Sequence, residues 1–129
     1  MAWGNFVLDK GMDAGGAISK CRAVKLSAQE TVVQVTASTD IALGIEQFGV
    51  SAADIARGKG SSVRWIGVSE WEAGAAVGIG VEVMCDTSGR CIPATGTGNR
   101  VKGVCVSDAA VNAGDRCTVL LYIGGGRIL

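Results

Sequence analysis

A short unit recurs three times in this chain: a turn ending in glycine, followed by alternating apolar residues. The turns are Ile55-Ala56-Arg57-Gly58, Glu72-Ala73-Gly74 and Asn112-Ala113-Gly114. Five residues beyond the glycines stand Val63, Ile79 and Val119; seven beyond stand Trp65, Val81 and Leu121. Val83 and Ile123 carry the stripe on in the second and third copies, where the first has Gly67. An apolar residue at every second position marks one face of a β-strand. A glycine–aliphatic pair precedes each copy: Gly44-Ile45, Gly67-Val68 and Gly103-Val104. Strands at short spacing, divided by glycine turns, predict an all-β domain, either a small barrel or a sandwich. Helix signals are confined to Ser51–Arg57, with Ser51 and Asp54 at the start and Gly58 at the stop, so at most one short helix is expected.

The strands divide the chain into three parts. Residues 17–123 form a single β domain, with hairpin strands at Ala17–Leu26 and Thr31–Ala37, and a regular strand at Ala76–Cys85. Residues 1–16 are irregular and read as an extended N-terminal arm, with Trp3, Phe6 and Val7 as apolar anchors for a neighbouring subunit. Residues 124–129 begin with Gly124-Gly125-Gly126 and read as a second, C-terminal arm that presents Arg127 and Leu129.

Composition excludes several kinds of chemistry. Lysine and arginine balance aspartate and glutamate at 12 each, so no basic surplus points to nucleic acid. There is no histidine, which removes Ser-His-Asp and Cys-His sites from the chain. A mean hydropathy of +0.35 implies strands buried on both faces and apolar surface covered by a partner. No apolar run is long enough to span a membrane, and Met1–Lys20 lacks the pattern of a secretory signal, so synthesis in a cytosol is expected. Five cysteines, an odd number, argue against a disulfide framework. Cys85 and Cys91 flank a hairpin-like loop and are expected to lie near each other, with their pairing left open. Cys85, Cys91, Cys105 and Cys117 lack the close CxxC pairs that structural zinc sites prefer, so they read as small buried thiols.

The remaining motifs yield no catalytic set and no cofactor site. Gly58-Lys59-Gly60-Ser61 resembles the end of a phosphate-binding loop, but Ala53 stands where its first glycine belongs and no long helix follows. Glu70, Glu72, Glu82, Asp86 and Asp108 are scattered over turns and strand edges, unlike the paired carboxylates of a glycosidase. Arg57, Lys59, Arg64 and Arg100 read as a surface that pairs with acidic groups. Trp65 and Trp71 lie six apart on one strand and project to the same side. Trp65 is expected to fill the barrel core, and Trp71, between Glu70 and Glu72, to be the exposed one. Together they could form the platform of a carbohydrate-binding or adhesive module, with a surface glycan as the partner.

The order of motifs resembles the small head-decoration proteins of tailed bacteriophages. It runs through Ala14–Ile18, Val24-Lys25-Leu26, Leu43-Gly44-Ile45, Ile55–Gly58, Ile66-Gly67-Val68, Ala73-Gly74 and the Asp86–Gly89 hairpin. It continues with Val101–Val104 and closes on Gly114-Asp115-Arg116-Cys117-Thr118-Val119-Leu120-Leu121. The resemblance implies a virion protein without enzymatic activity, made in the host cytoplasm. Such a protein binds the outer surface of a shell of major capsid protein, as a homotrimer, and clamps adjacent capsomers. The glycan-binding module stands as the alternative. The contact residues expected on the chain's own pattern are Trp3, Phe6, Val7, Trp71, Arg127 and Leu129.

Overall fold

The computed structural model describes residues 7–122 and 126–129. Its elements are β1 (Leu8–Ala14), β2 (Ala23–Ala28), β3 (Thr31–Gln34), β4 (Gly44–Glu46), α1 (Ala52–Ala56), β5 (Ser61–Glu72), β6 (Glu82–Cys85), β7 (Cys91–Pro93), β8 (Arg100–Val101), β9 (Gly103–Cys105), β10 (Arg116–Leu121) and β11 (Arg127–Ile128). The all-β expectation holds, and the single helix sits where its signals are. Ser51 caps α1, accepting a hydrogen bond from Asp54 N while Asp54 accepts one from Ser51 N.

Two strand rings share β5. In the first, β1, β3, β2, β4 and β5 pair in that order and β5 returns to β1, closing a five-stranded barrel. In the second, β5, β10, β9, β6 and β7 pair in order, and a single parallel bridge from Cys91 to Ala73 completes the circuit. β5 can serve both because it is long. Its first half pairs with β1 and β4, and its second half, from Gly67 to Glu72, pairs with β10.

The rings are two copies of one design. A shift of 59 residues carries the parallel pair Ala14–Val32 onto Ala73–Cys91. The same shift carries the bond Gly15 N to Val32 O (2.9 Å) onto Gly74 N to Cys91 O (2.8 Å), and Leu43 N to Val24 O (2.8 Å) onto Lys102 N to Val83 O (2.8 Å). Left-handed residues also coincide: Cys21 with Gly80, and Glu30 with Gly89. The threefold recurrence read from the sequence therefore resolves into two structural roles. Gly58 and Gly114 precede the last strand of each ring, whereas Gly74 is the counterpart of Gly15 at the end of the first strand.

Gly44 and Gly103 are also counterparts, and both lack room for a side chain. A Cβ on Gly44 would collide with the Arg64 carbonyl oxygen, and one on Gly103 with that of Leu120. The obstacle is backbone of the neighbouring strand and cannot swing away. Gly44→Ala and Gly103→Ala are each expected to destabilise the fold by about 1–3 kcal/mol, the usual range for overpacking. Equilibrium urea unfolding measures this, and an unchanged midpoint would contradict the close approach of these strands.

The core is divided like the strands. Met12, Ile18, Val24, Val32 and Val63 fill the first barrel. Trp71, Val83, Cys85, Cys91, Cys105, Cys117, Val119 and Leu121 fill the second ring, where Ala23, Val35, Ala42 and Ile45 from the first barrel join them. The rings are thus packed together along β2 and β4. The Gly89 carbonyl marks the joint, accepting hydrogen bonds from Ala23 N and from Trp71 Nε1, both at 2.8 Å.

Several expectations change. Leu8–Ala14, read as part of an irregular arm, is a strand bound on both sides by β5 and β3. Alternation hides it, because Asp9, Lys10 and Asp13 lie outside a barrel that buries only Met12 fully from this stretch. Arg127–Ile128, read as a free tail, pairs with β8. Only Glu82–Cys85 of the expected strand Ala76–Cys85 is strand; Ile79 sits in a turn beside left-handed Gly80 and is exposed. Leu26 is likewise exposed, while Val24 is buried.

Candidate functional site

Among the described residues, the exposed apolar side chains mark candidate contact surfaces. Along β5 the odd-numbered residues Ser61, Val63, Gly67, Ser69 and Trp71 face the two cores, and the even-numbered ones face outward. Ile66 and Val68 are among the latter. Register extends this row across the sheet. Leu8 stands opposite Ile66, Leu120 opposite Val68, and Val104 opposite Leu120. Leu8 and Leu120 are 47% and 42% exposed, and Val7 leads into the same end at 40%. The row Leu8–Ile66–Val68–Leu120–Val104 thus forms an apolar stripe over strands of both rings.

Charged groups frame the stripe. At one end Arg64 holds Asp9 with two hydrogen bonds, Nε at 2.8 Å and Nη2 at 3.0 Å, and donates from Nη1 to the Val68 carbonyl. The bond to Asp9 raises the Arg64 pKa further, so the guanidinium stays protonated and paired. At the other end Glu82 stands opposite Val104, accepts from the Tyr122 hydroxyl at 3.0 Å, and pairs with Arg127. Loss of solvent and the neighbouring Glu82 push the Tyr122 pKa up, so its hydroxyl keeps its proton at neutral pH. An apolar centre with a polar, hydrogen-bonded rim is the usual anatomy of a protein–protein contact.

A second apolar spot lies on the first barrel. Leu26 and Ile41, 54% and 57% exposed, border a hollow of about 350 Å³ with Leu43 and the Lys25–Asp40 ion pair. Asp40 is held anionic: hydrogen bonds from Lys25, Thr36 N and Ala37 N outweigh its desolvation and lower its pKa. Phe48, 70% exposed in the loop after β4, is a third isolated apolar residue.

The residues expected from the sequence fare unequally. Val7 adjoins the stripe and Arg127 belongs to its rim. Leu129 is 37% exposed, but its backbone is bonded to Asn99 and Gly98, so it is docked on the loop before β8. Trp3 and Phe6 lie outside the described residues. Of the other two tryptophans, Trp71 is not the exposed one, and Trp65 reaches the first core only in part. Trp71 is fully buried, because its half of β5 turns the odd-numbered face into the second ring. Trp65 is only half-buried and packs at the side of the first core, with Lys10 Nζ 5.6 Å from its ring centre. Trp65 and Trp71 therefore form no shared exposed platform.

The basic residues read as one surface are dispersed into local ion pairs. Arg57 and Lys59 bind Asp54, and Arg64 binds Asp9. The stripe itself is not among the contacts expected from the sequence. Its signal lies in β5 and β10, where Ile66 and Val68 oppose Trp65, and Leu120 precedes Leu121, so that both faces carry apolar residues.

Among solved structures, the chain is similar to the crystal structure of the head fiber gp8.5 N base in bacteriophage phi29. The TM-score is 0.66 at 13% identity, covering 96% of this chain and 99% of that one. At that identity the likeness concerns the fold alone. A search of the curated proteins matched nothing. The family model for phage cement proteins matches residues 4–122, nearly the whole chain, and the protein belongs to that family.

Proposed function

We propose that this protein binds the outer surface of a phage capsid and clamps adjacent capsomers of major capsid protein, acting by contact rather than by catalysis. Membership in the cement family supports capsid decoration and stabilisation in general, and a place on the virion. The observation that carries the finer reading is the outward stripe Leu8–Ile66–Val68–Leu120–Val104, apolar at its centre and rimmed by ion pairs. The hollow beside Leu26 and Ile41, on the first barrel, provides a second contact. Two contacts on one rigid body let a copy engage two capsid subunits, and bridging raises the cost of losing either. Assembly as a homotrimer would multiply this effect.

The test is co-sedimentation with decoration-free capsids. Wild-type protein is expected to pellet with the shells in saturable fashion. Leu120→Glu places a charge at the centre of the stripe and is expected to weaken binding tenfold or more, since burying one leucine contributes roughly 1.5–3 kcal/mol. The substitution is at an exposed site, so the free protein should unfold at the wild-type midpoint. Undiminished binding by a folded Leu120→Glu variant would remove the stripe from the interface.

A further inference from the structure

The repeat places a tie between the same two strands in both rings, at the base of the same loop. In the first barrel it is polar. Glu46, at the end of β4, is fully buried and accepts a hydrogen bond from the hydroxyl of Ser61, at the start of β5. Phe48 N, Gly49 N and Ser62 N complete the carboxylate's shell at 3.2–3.3 Å. Glu46 stands opposite Val63 as Cys105 stands opposite Val119, so the last strands are offset by 56 residues, and the counterparts of Glu46 and Ser61 are Cys105, at the end of β9, and Cys117, near the start of β10. Both cysteines are buried and free, with their sulfurs 3.1 Å apart.

We propose that Cys105 and Cys117 are a site of oxidative modification, closing a disulfide that staples the base of loop 106–116 when the protein meets a small-molecule disulfide. The pair expected to lie together from the sequence is a different one. Cys85 and Cys91 are cross-strand partners in the β6–β7 hairpin. However, the Cys85 thiol is turned to the Ala37 carbonyl at 3.7 Å, and Cys91 lies against Cys117. Loop 106–116 is largely exposed, and Ser107 Oγ covers both sulfurs, at 3.5 Å from Cys105 and 3.8 Å from Cys117. The loop is held to the second ring by the Val77–Val111 bridge and by the bond from Gly114 N to the Ala73 carbonyl, so these few contacts must open to uncover the pair. Hydrogen bonds from the Cys91 and Cys105 thiols lower the Cys117 pKa, which favours Cys117 as the first thiolate.

The step balances without a further reagent. The Cys117 thiolate attacks one sulfur of the small disulfide and expels one thiolate. The Cys105 thiolate then attacks Cys117 in the mixed disulfide and expels the other. Two protein thiols are oxidised by two electrons, the reagent disulfide is reduced to two thiols, and the two protons pass to them. Closing the loop constrains the unfolded chain, so the oxidised protein should melt higher.

The experiment uses the reduced full-length protein and oxidised glutathione under native conditions. The expected product is lighter by about 2 Da, the loss of two hydrogens per chain. Peptide mapping should find Cys105 joined to Cys117, with a raised melting temperature that dithiothreitol reverses. Cys91→Val, which installs the residue of the first barrel's counterpart Val32, should keep the crosslink, and Cys105→Ser should lose it. Mapping of the wild-type protein needs no variant to fold. No mass loss, a persistent glutathione adduct, a link through Cys85 or Cys91, or a crosslink that forms only after unfolding would each overturn the assignment. The assay contains no capsid, so its outcome is independent of the proposed clamp.

Discussion

Trp71→Ala is expected to destabilise the protein by roughly 3–5 kcal/mol, the range for truncating a buried aromatic side chain. Trp71 is fully buried in the second core, and its indole N–H reaches across to Gly89 at the joint between the rings. Truncation opens a cavity where two packed bodies meet, and neither rigid ring can collapse into it. The Gly89 carbonyl still accepts from Ala23 N, so no buried acceptor is left orphaned and the cost is mainly packing. Trp71→Phe should recover more than half of the loss. Guanidinium unfolding followed by circular dichroism measures both. A cost below about 1 kcal/mol for Trp71→Ala would mean that the side chain is exposed, as its acidic neighbours suggest.

Lys102→Leu is expected to act in the opposite direction. Lys102 is the counterpart of Leu43 and is 1% exposed; its ammonium donates to the Tyr122 carbonyl at 3.1 Å. Burial lowers its pKa from 10.5 to about 8. Between those values the unfolded chain holds a proton that the folded chain has released, so this group makes stability rise with pH from about 8 to 10.5. At pH 7 the folded state bears the cost of a buried ammonium, about 3 kcal/mol for such a shift. Leucine removes that cost and forfeits one hydrogen bond worth about 1 kcal/mol, leaving a gain of about 2 kcal/mol. The gain should shrink above pH 8. Cys85 opposes the trend in both proteins, since burial pushes its pKa from 9 to about 11 and its contribution falls over that range. The informative quantity is therefore the difference between wild type and variant at each pH. A variant that is less stable than wild type at pH 7 would contradict the burial of this lysine.

The fold class could be read in the sequence because its strongest signals are local. Glycine turns, alternating stripes and the capping box of α1 each depend on a few neighbouring residues; the capping box and the turns at Gly58 and Gly114 appear where expected, whereas the stripe through Ile79 does not. What depended on distant pairing could not be read in the same way. β1 looks irregular alone and becomes a strand only when β5 and β3 flank it. The acidic neighbours of Trp71 point to exposure, and only the passage of β5 from one ring to the next shows that its side chain enters the second core. The repeat, offset by 59 residues as far as β9 and by 56 in the last strand of each ring, is obscured because its counterparts differ chemically: Glu46 and Cys105, Ser61 and Cys117, Leu43 and Lys102. The backbone bonds are kept while the side chains have diverged.

The candidate surface follows the same division. Val7 and Arg127 are expected at a contact because they stand near the chain ends, and both border the outward stripe. Leu120 escapes notice in the sequence because alternation identifies Val119 and Leu121 as core, which they are. The apolar residue between them on the opposite face is what a partner can use.

Cementing is tested most directly by heating decoration-free capsids with and without saturating protein and following shell disruption by light scattering or release of contents. A clamp across neighbouring capsomers should raise the temperature of disruption for wild-type protein, with little rise for Leu120→Glu at the same concentration. Wild-type protein that saturates the shell while the disruption temperature stays unchanged would contradict the cementing role, leaving a decoration that holds nothing together.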